Sequence, residues 1–139
     1  MKTYPVPKKN KKKVTISTSL QYKYSEEVKN MKDLDLLSRW EEVYLLAIWE
    51  LKDNAYGVSI KKSVSQKTGK TISYGGLYFM LAQLVKKGLS VKTPGEPTQK
   101  RGGRRKFYYR LTEKGKKALQ DTFLHQKSLW KNISEEIVK

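Results

Sequence analysis

The stretch KRGGRRKFYYRLTEKGKKAL, Lys100 to Leu119, joins a cationic tip, an apolar strand and a charged helix in that order. The tip places positive charges on both sides of Gly102 and Gly103, whose backbones can adopt the positive φ angles of a turn. Its cationic residues are Lys100, Arg101, Arg104, Arg105 and Lys106. An apolar strand with a basic, glycine-containing turn before it indicates one arm of a β-hairpin.

The residues before this stretch predict the partner strand. After Gly88, the segment LSVKT alternates, with Leu89 and Val91 on one side, which is typical of a half-buried strand. The polar segment PGEPTQKRGG then forms a long loop. The chain returns as RKFYYRL, in which the residues that share a face are Phe107, Tyr109 and Leu111.

Two helices are predicted upstream of the hairpin. Ser38 and Glu41 in SRWE form a capping box, and the helix runs through WEEVYLLAIWEL to a stop at Asp53 and Asn54. A short connection leads to AYGVSIKKSVSQKTG, which ends at Gly69. Its apolar residues at helical spacing are Tyr56, Ile60 and Val64.

A third helix lies in TISYGGLYFMLAQLVKKG, with Ser73 as its N-cap and Gly88 as its end. One face is apolar and is made by Leu77, Met80, Leu81 and Leu84. Gly75 lies roughly opposite that face and would allow the close approach of a partner. Thr112 begins a last helix. The order is helix, helix, helix, hairpin, helix, so the predicted fold is mainly α with a small β-hairpin, a winged helix-turn-helix followed by a C-terminal dimerisation helix.

The charge of the chain favours a nucleic-acid partner. Lys and Arg number 30 against 13 acidic residues in 139 residues, a formal net charge of +17. A basic hairpin beside a helix with an accessible N-terminus favours double-stranded DNA, with the third helix in the major groove and the wing on phosphates or in the minor groove. The residues expected to reach bases are Ser73, Tyr74, Gly75 and Tyr78. Those expected to neutralise phosphates are Lys61, Lys62, Lys100, Arg101, Arg104 and Arg105.

Several motifs in this order resemble the PadR family of bacterial transcription regulators, over roughly residues 40 to 119. They are Ala55-Tyr56-Gly57 with Ile60, Gly75-Gly76-Leu77-Tyr78, Leu81 and Leu84 with Lys87-Gly88-Leu89, Gly102-Gly103-Arg104, and Tyr108 through Gly115. The resemblance implies a dimeric winged-helix repressor, usually of phenolic-stress or drug-efflux genes, that dimerises through its C-terminal helix.

This sequence departs from the family pattern in the third helix and in the wing. Gly76 and Phe79 stand where the family usually has Thr and Pro, so a hydroxyl contact to DNA is missing or is supplied by Ser73 or Tyr74. Arg105 stands where the family often has Pro, which makes this wing more cationic and less rigid. Both departures affect which operator sequence the protein would recognise.

The last helix carries a heptad stripe with one polar member. The stripe comprises Leu119, Phe123, Gln126, Trp130, Ile133 and Ile137, spaced 4, 3, 4, 3 and 4 residues apart. It extends beyond the compact winged-helix unit, so a second subunit is the expected cover, and packing on the chain's own first helix or lead-in is the alternative. Paired aromatics at such a seam can hold a planar ring, so Trp40, Phe123 and Trp130 are candidate contacts for a small aromatic effector, as the resemblance also implies; the alternative is that Phe123 and Trp130 simply fill the interface.

The domain organisation follows from these segments: a basic, partly disordered arm over 1–37, the winged helix-turn-helix over 38–112 and the dimerisation helix over 113–139. The arm begins MKTYPVPKKNKKK, with six lysines and no acidic residue, and is not followed by an apolar run, so it is not expected to be a secretory signal. The longest strongly apolar segment, YLLAI, is far shorter than the roughly 18 residues of a membrane span. The absence of Cys fits a reducing cytoplasm, and the resemblance implies a bacterial protein, which as a DNA-binding protein would lie on the nucleoid.

Nothing in the sequence indicates an enzyme, a cofactor or a metal site. His125, the only histidine, lies among Gln and Lys and is expected to be exposed. The acidic residues do not recur at a spacing that suggests a metal site. The alternatives to a sequence-specific regulator are a nucleoid-type protein with little sequence preference, which would show steep salt dependence, and a winged-helix module that binds proteins.

Overall fold

The computed structural model describes residues 36–96 and 105–138. Residues Leu36–Leu119 form one compact unit, and the described residues from Gln120 onward belong to a second. Nearly all of the predicted basic arm, and the tip of the wing, lie outside the described residues. The described helices and strands therefore belong to the winged-helix unit and the C-terminal segment.

Helix α1, Arg39–Leu51, begins at the predicted capping box. The Glu41 amide donates to Ser38 Oγ over 3.2 Å, and the Ser38 amide donates to Glu41 Oε1 over 2.9 Å. The helix is followed by a 3₁₀ turn, Lys52–Asn54, as the Asp-Asn pair predicts. Because apolar residues cover most of its circumference, α1 is the central helix of the unit, with Tyr44, Leu45, Ala47 and Ile48 buried.

Helices α2, Gly57–Thr68, and α3, Tyr74–Lys86, complete the helical trio. Gly69 ends α2 in the left-handed conformation at φ 70°, a region in which glycine has no steric penalty. Ser73 caps α3, since its hydroxyl accepts a hydrogen bond from the Gly76 amide over 3.0 Å. The first and last residues of α2 and α3 therefore lie within a residue or two of the positions that the sequence predicts.

The core lies where the three helices meet. Its fully buried residues from α2 and α3 are Ile60, Val64, Leu77, Leu81 and Leu84. Met80 is only partly buried at the edge of this core. Close packing of these side chains against α1 fixes the orientation of α3, and so determines which of its faces is left exposed.

Strands β1, Ser90–Pro94, and β2, Phe107–Leu111, form the predicted antiparallel hairpin. The predicted facing of the first strand is wrong: Val91 is exposed and Ser90 is buried. The reason is that Leu89 precedes the strand and its amide donates to the Leu84 carbonyl, closing α3, so the strand starts at the buried Ser90 and its other four residues are exposed. The buried Ser90 hydroxyl donates a hydrogen bond to the Arg110 carbonyl over 2.8 Å.

Helix α4, Glu113–Trp130, begins at Thr112 as predicted. Thr112 Oγ1 accepts from the Gly115 amide over 3.0 Å and donates to the Gly88 carbonyl over 2.6 Å. Gly115 is buried with its Cα against the Leu89 carbonyl oxygen, and a Cβ there would overlap that oxygen. This glycine therefore allows the start of α4 to lie directly on the connection between α3 and β1.

The C-terminal helix is not continuous, contrary to the prediction from its heptad stripe. It ends at Trp130, and a separate short helix α5, Glu135–Val138, follows. Residues 131–134 are Lys, Asn, Ile and Ser, three of which have low helix propensity. Ser134 starts the new helix, because its hydroxyl accepts from the Glu136 amide over 3.2 Å. Ile133 and Ile137 consequently do not continue the stripe of α4.

Candidate nucleic-acid interface

The outward face of α3 in its first two turns is aromatic. Tyr74, Tyr78 and Phe79 are 53%, 51% and 62% exposed. The same helix buries Leu77, and at 100° per residue Gly75 and Phe79 lie opposite Leu77 while the two tyrosines lie on the flank of the buried row. Gly75 has no atom near the position of a side chain, so the backbone is open to solvent at this point. The predicted base-reading residues are thus brought together on one accessible surface.

The two tyrosines are held in place by their neighbours. Their rings stack with centroids 6.5 Å apart and an interplanar angle of 19°, and the Lys61 ammonium lies 5.0 Å from the Tyr74 ring centroid. The Tyr78 phenol lies against Gly57 at the start of α2, where an added Cβ would come within 2.5 Å of its oxygen. Burial, together with the nearby Tyr78, raises the pKa of Tyr109 above its usual value. Tyr78 therefore packs beside the start of α2, while about half of its surface stays exposed.

An open groove of about 400 Å³ runs between α2 and the start of α3. It is lined by Val58, Lys61, Lys62, Ser65, Gln66 and Tyr74. Both lysines predicted to neutralise phosphates from the second helix border this groove, beside the aromatic face of α3. The arrangement gives a cationic rim next to a helix face that can enter a groove of DNA.

The base of the wing is built on aromatic rings and lysines. Tyr56 and Tyr108 pack edge to face with centroids 5.8 Å apart, and the Lys106 ammonium lies 4.2 Å from the Tyr56 ring centroid. The Tyr109 amide donates to the Ala55 carbonyl over 2.8 Å, which ties the hairpin to the residue before α2. The position of Lys106 here was not predicted, because only the fold brings it to Tyr56.

The wing tip itself is only partly described. Arg105 is exposed at the start of the return strand. The other predicted phosphate contacts of the wing, Lys100, Arg101 and Arg104, lie outside the described residues.

Some residues of the predicted dimer stripe are covered by the chain itself, and others are exposed. Leu119 packs against the core of its own winged-helix unit, so its use in an interface with a second chain is not supported. Phe123 and Trp130, on the same helix, are 46% and 56% exposed, and Leu129 is 61% exposed. Gln126 is half-buried. Beyond the helix break, Ile133 and Ile137 are also exposed.

The third residue of the predicted effector contact, Trp40, is 39% exposed at the start of α1, with the Lys70 ammonium 5.8 Å from its ring centroid. It belongs to the winged-helix unit, whereas Phe123 and Trp130 belong to the other.

His125 is not the exposed surface residue that the sequence predicts. It is half-buried, and its Nδ1 is shielded from solvent with no hydrogen-bond partner in the described part of the chain. The reason is that the helix turns this position inward together with Asp121, Thr122 and Leu124, which are buried. Within residues 36–96 and 105–138, no three His, Asp or Glu side chains converge as a metal site would require.

Three helices, a two-stranded wing and an exposed α3 define a winged-helix protein of the kind that binds DNA. The profile of the transcriptional regulator PadR-like family matches residues 45–121, more than half of the chain. The chain therefore belongs to the PadR family of transcription regulators and is a DNA-binding regulator by class. No curated protein matches it significantly.

Solved structures of similar proteins agree with this assignment. A transcriptional regulator from Clostridium thermocellum is 30% identical, with a TM-score of 0.55 over 71% of this chain and 92% of that one. A PadR family transcription regulator from Clostridium difficile R20291 is 26% identical, with a TM-score of 0.54 over 72% and 99%. RosR from H. salinarum is 28% identical, with a TM-score of 0.53 over 68% and 76%.

Among the helices that the structure describes, none is both long and apolar enough to cross a membrane.

Proposed function

We propose that this chain represses transcription by binding a specific site in double-stranded DNA with α3. The observation that carries the proposal is the exposed face of Tyr74, Gly75 and Tyr78 beside the lysine-lined groove of α2. A helix that presents side chains beyond a cationic rim can enter the major groove while the rim holds the phosphates on either side. Occupation of a promoter by such a protein would block transcription.

The proposal assigns two separate tasks to the surface. Ser73, Tyr74, Gly75 and Tyr78 approach base edges. The phosphate contacts are made by Lys61, Lys62, Lys100, Arg101, Arg104 and Arg105. Contacts to phosphates carry no sequence information, so the second group should set affinity and salt dependence while the first sets sequence preference.

Selection of bound sequences from a random DNA library, repeated at two salt concentrations, tests the proposal. We expect an enriched sequence at both concentrations. On that sequence and on random DNA, Lys62→Ala should weaken binding equally and lower the salt slope by about one unit. Tyr74→Ala should weaken binding to the selected sequence more than to random DNA.

The alternatives give different results in the same experiment. A nucleoid-type protein would bind with a steep salt slope but enrich no sequence. A protein-interaction module would show neither an enriched sequence nor micromolar affinity for DNA. Equal losses on both DNAs from Tyr74→Ala would remove that residue from base reading.

The proposal includes a homodimer on a pseudo-palindromic site. It is supported by Phe123, Leu129 and Trp130, three large apolar side chains of α4 that are about half or more exposed. A two-fold axis would present two copies of α3, so the half-site centres should lie about 10 or 20 base pairs apart.

Light scattering at micromolar concentration tests the dimer. We expect wild type to be a dimer and Trp130→Glu to be a monomer, because a carboxylate would be buried in the interface. Ser128→Glu is the matched control: it adds the same charge on an exposed neighbouring position and should stay dimeric. A monomeric wild type contradicts this part of the proposal.

The proposal further includes release from DNA by a small planar aromatic compound. Phe123 and Trp130 are seven residues apart on α4, so they lie on the same side of the helix and their copies would meet across a two-fold axis. A tenfold release requires that the compound bind the DNA-incompetent arrangement about 1.4 kcal/mol more tightly.

Tryptophan fluorescence with a panel of planar aromatic compounds tests the effector. A compound that acts at this site should quench wild type and reduce its DNA affinity, and it should do neither in a Trp130→Leu variant that is still dimeric. If no compound changes either signal, the aromatic side chains of α4 serve only to hold the subunits together. Trp40→Leu in the same titration shows whether the first helix contributes to the contact.

A further inference from the structure

The first two turns of α3 lack the side chains that usually distinguish bases. Residues Tyr74 to Leu81 read YGGLYFML, with no Arg, Lys, Asn, Gln, Asp or Glu. The bidentate contacts by which Arg reads guanine and Asn or Gln reads adenine are therefore unavailable in this segment. What remains to meet base edges is two phenol groups, the Ser73 hydroxyl and apolar surface.

Phe79 is the largest piece of that apolar surface. It is 62% exposed, the most exposed large apolar side chain of α3. At 100° per residue it projects about 160° around the helix from Leu77 and Leu81, which are fully buried. It therefore points away from the core, in the direction from which DNA would approach α3.

The ring of Phe79 differs from its aromatic neighbours in its contacts. Tyr74 and Tyr78 stack on one another, Lys61 lies over Tyr74, and the Tyr78 phenol rests on Gly57. Within residues 36–96 and 105–138, no ring stacks on the Phe79 ring and no ammonium group lies over it. The two tyrosines thus have contacts within the protein and about half of their surface exposed, while the phenyl ring has its surface left for a ligand.

We propose that Phe79 contacts the 5-methyl group of thymine in the DNA site and selects for thymine at that position. A phenyl ring has no hydrogen-bonding atoms, and the thymine methyl is the apolar group that base pairs present in the major groove. The proposal rests on the proposed function, since it requires that α3 enter the major groove. It adds the chemical group that the exposed ring recognises.

Replacement of single thymines by deoxyuridine in the selected DNA site tests the proposal, because uracil lacks only the methyl group. At one position in each half-site we expect wild-type affinity to fall about fourfold, the effect of losing one buried methyl group. Phe79→Ala should bind the thymine-containing site less tightly than wild type does. It should also bind the uracil and thymine sites equally well.

Leu46→Ala is the matched control. Leu46 is an exposed apolar residue of α1, 37% exposed, and is not part of the proposed DNA surface. This variant should keep the full sensitivity to uracil. Because Phe79 is exposed, Phe79→Ala should melt within a few degrees of wild type, and a thermal melt of each variant verifies this.

The outcomes separate this proposal from the function on which it rests. If a sequence is enriched but no uracil substitution changes the affinity, or if Phe79→Ala remains as sensitive to uracil as wild type, the methyl contact is wrong and specific DNA binding stands. If Phe79→Ala binds every DNA site less tightly than wild type by the same factor, whichever thymine has been replaced by uracil, the methyl contact is wrong. The ring then acts as a wedge between bases or as a general contact. If no sequence is enriched, both proposals fall.

Discussion

Helix α3 and the segment from Gln120 onward both carry rows of large apolar side chains, but these rows differ in how far they are buried. In the first, Leu77, Leu81 and Leu84 are entirely buried. In the second, Leu129 is 61% exposed and Ile137 is 69% exposed. Both segments show apolar residues at helical spacing in the sequence. The spacing therefore tells which residues share a face, but it does not tell whether the chain supplies anything to cover that face.

The difference has a physical origin in the number of surfaces available. Leu81 is surrounded because α1, α2 and the residues before the hairpin all pack against α3. The apolar side chains along one face of a helix are buried only where at least one other element packs against that face. The comparison predicts that the same kind of substitution will have very different consequences in the two units.

The largest difference is expected between Leu81→Ala and Leu129→Ala. Leu81→Ala leaves a cavity in the core and should lower the free energy of unfolding by about 2–5 kcal/mol. In protein dilute enough to dissociate the proposed dimer, Leu129→Ala removes an exposed side chain and should change it by less than about 0.5 kcal/mol. Urea unfolding followed by circular dichroism measures both. A loss at Leu129 as large as that at Leu81 would mean that Leu129 is covered in solution, and the comparison would break.

A second contrast lies between two glycines of the winged-helix unit. Gly115→Ala would push a Cβ into the Leu89 carbonyl and should cost about 1–3 kcal/mol of stability. Gly75→Ala meets open space within a helix and should raise stability by up to about 1 kcal/mol. Thermal unfolding of the two variants should shift in opposite directions. A neutral Gly115→Ala would show that α4 can move away from the connection after α3.

The two serine N-caps show the same contrast, with smaller expected changes in the free energy of unfolding. Ser38→Ala breaks the capping box of α1 and should cost about 1 kcal/mol. Ser134→Ala removes the cap of α5, a four-residue helix whose apolar residues are exposed, and should leave the main unfolding transition unchanged. Equal losses in a urea titration would indicate that α5 unfolds together with the core.

The smallest expected effect is the pH dependence of an ion pair. The Lys87 ammonium lies 2.6 Å from Glu41 Oε2. Burial works to raise the pKa of Glu41, but the bonds from Lys87 and Ser38 outweigh it and lower the pKa below the ordinary value of 4.5. The stabilisation is therefore present above pH 4.5 and is lost as the pH falls through the lowered pKa.

Lys87→Met should remove less than about 1 kcal/mol at neutral pH, because the lysine side chain is half exposed. The difference from wild type should shrink as the pH falls below about 4.5. Lys86→Met, at the adjacent exposed position, changes the net charge equally and is the control. A difference that stays constant into acid would show that Glu41 does not depend on this lysine.

The local features of the winged-helix unit were predictable from the sequence. Ser38, Ser73 and Thr112 were identifiable as caps and Gly69 as a helix end, because each acts on backbone groups within a few residues. The order of helices, hairpin and helix followed from these signals and from the apolar spacing. The family followed from short motifs in the same order, and the profile match confirms it.

Which helix faces are covered, and which distant residues meet, depends on the packing of the whole unit. Glu41 and Lys87 are 46 residues apart, and no local signal pairs them. Gly115 against Leu89, Ser90 turned inward and Leu119 packed against the core were likewise not predicted. The physical reason is that these features depend on the packing of several elements at once, whereas periodicity describes one element at a time.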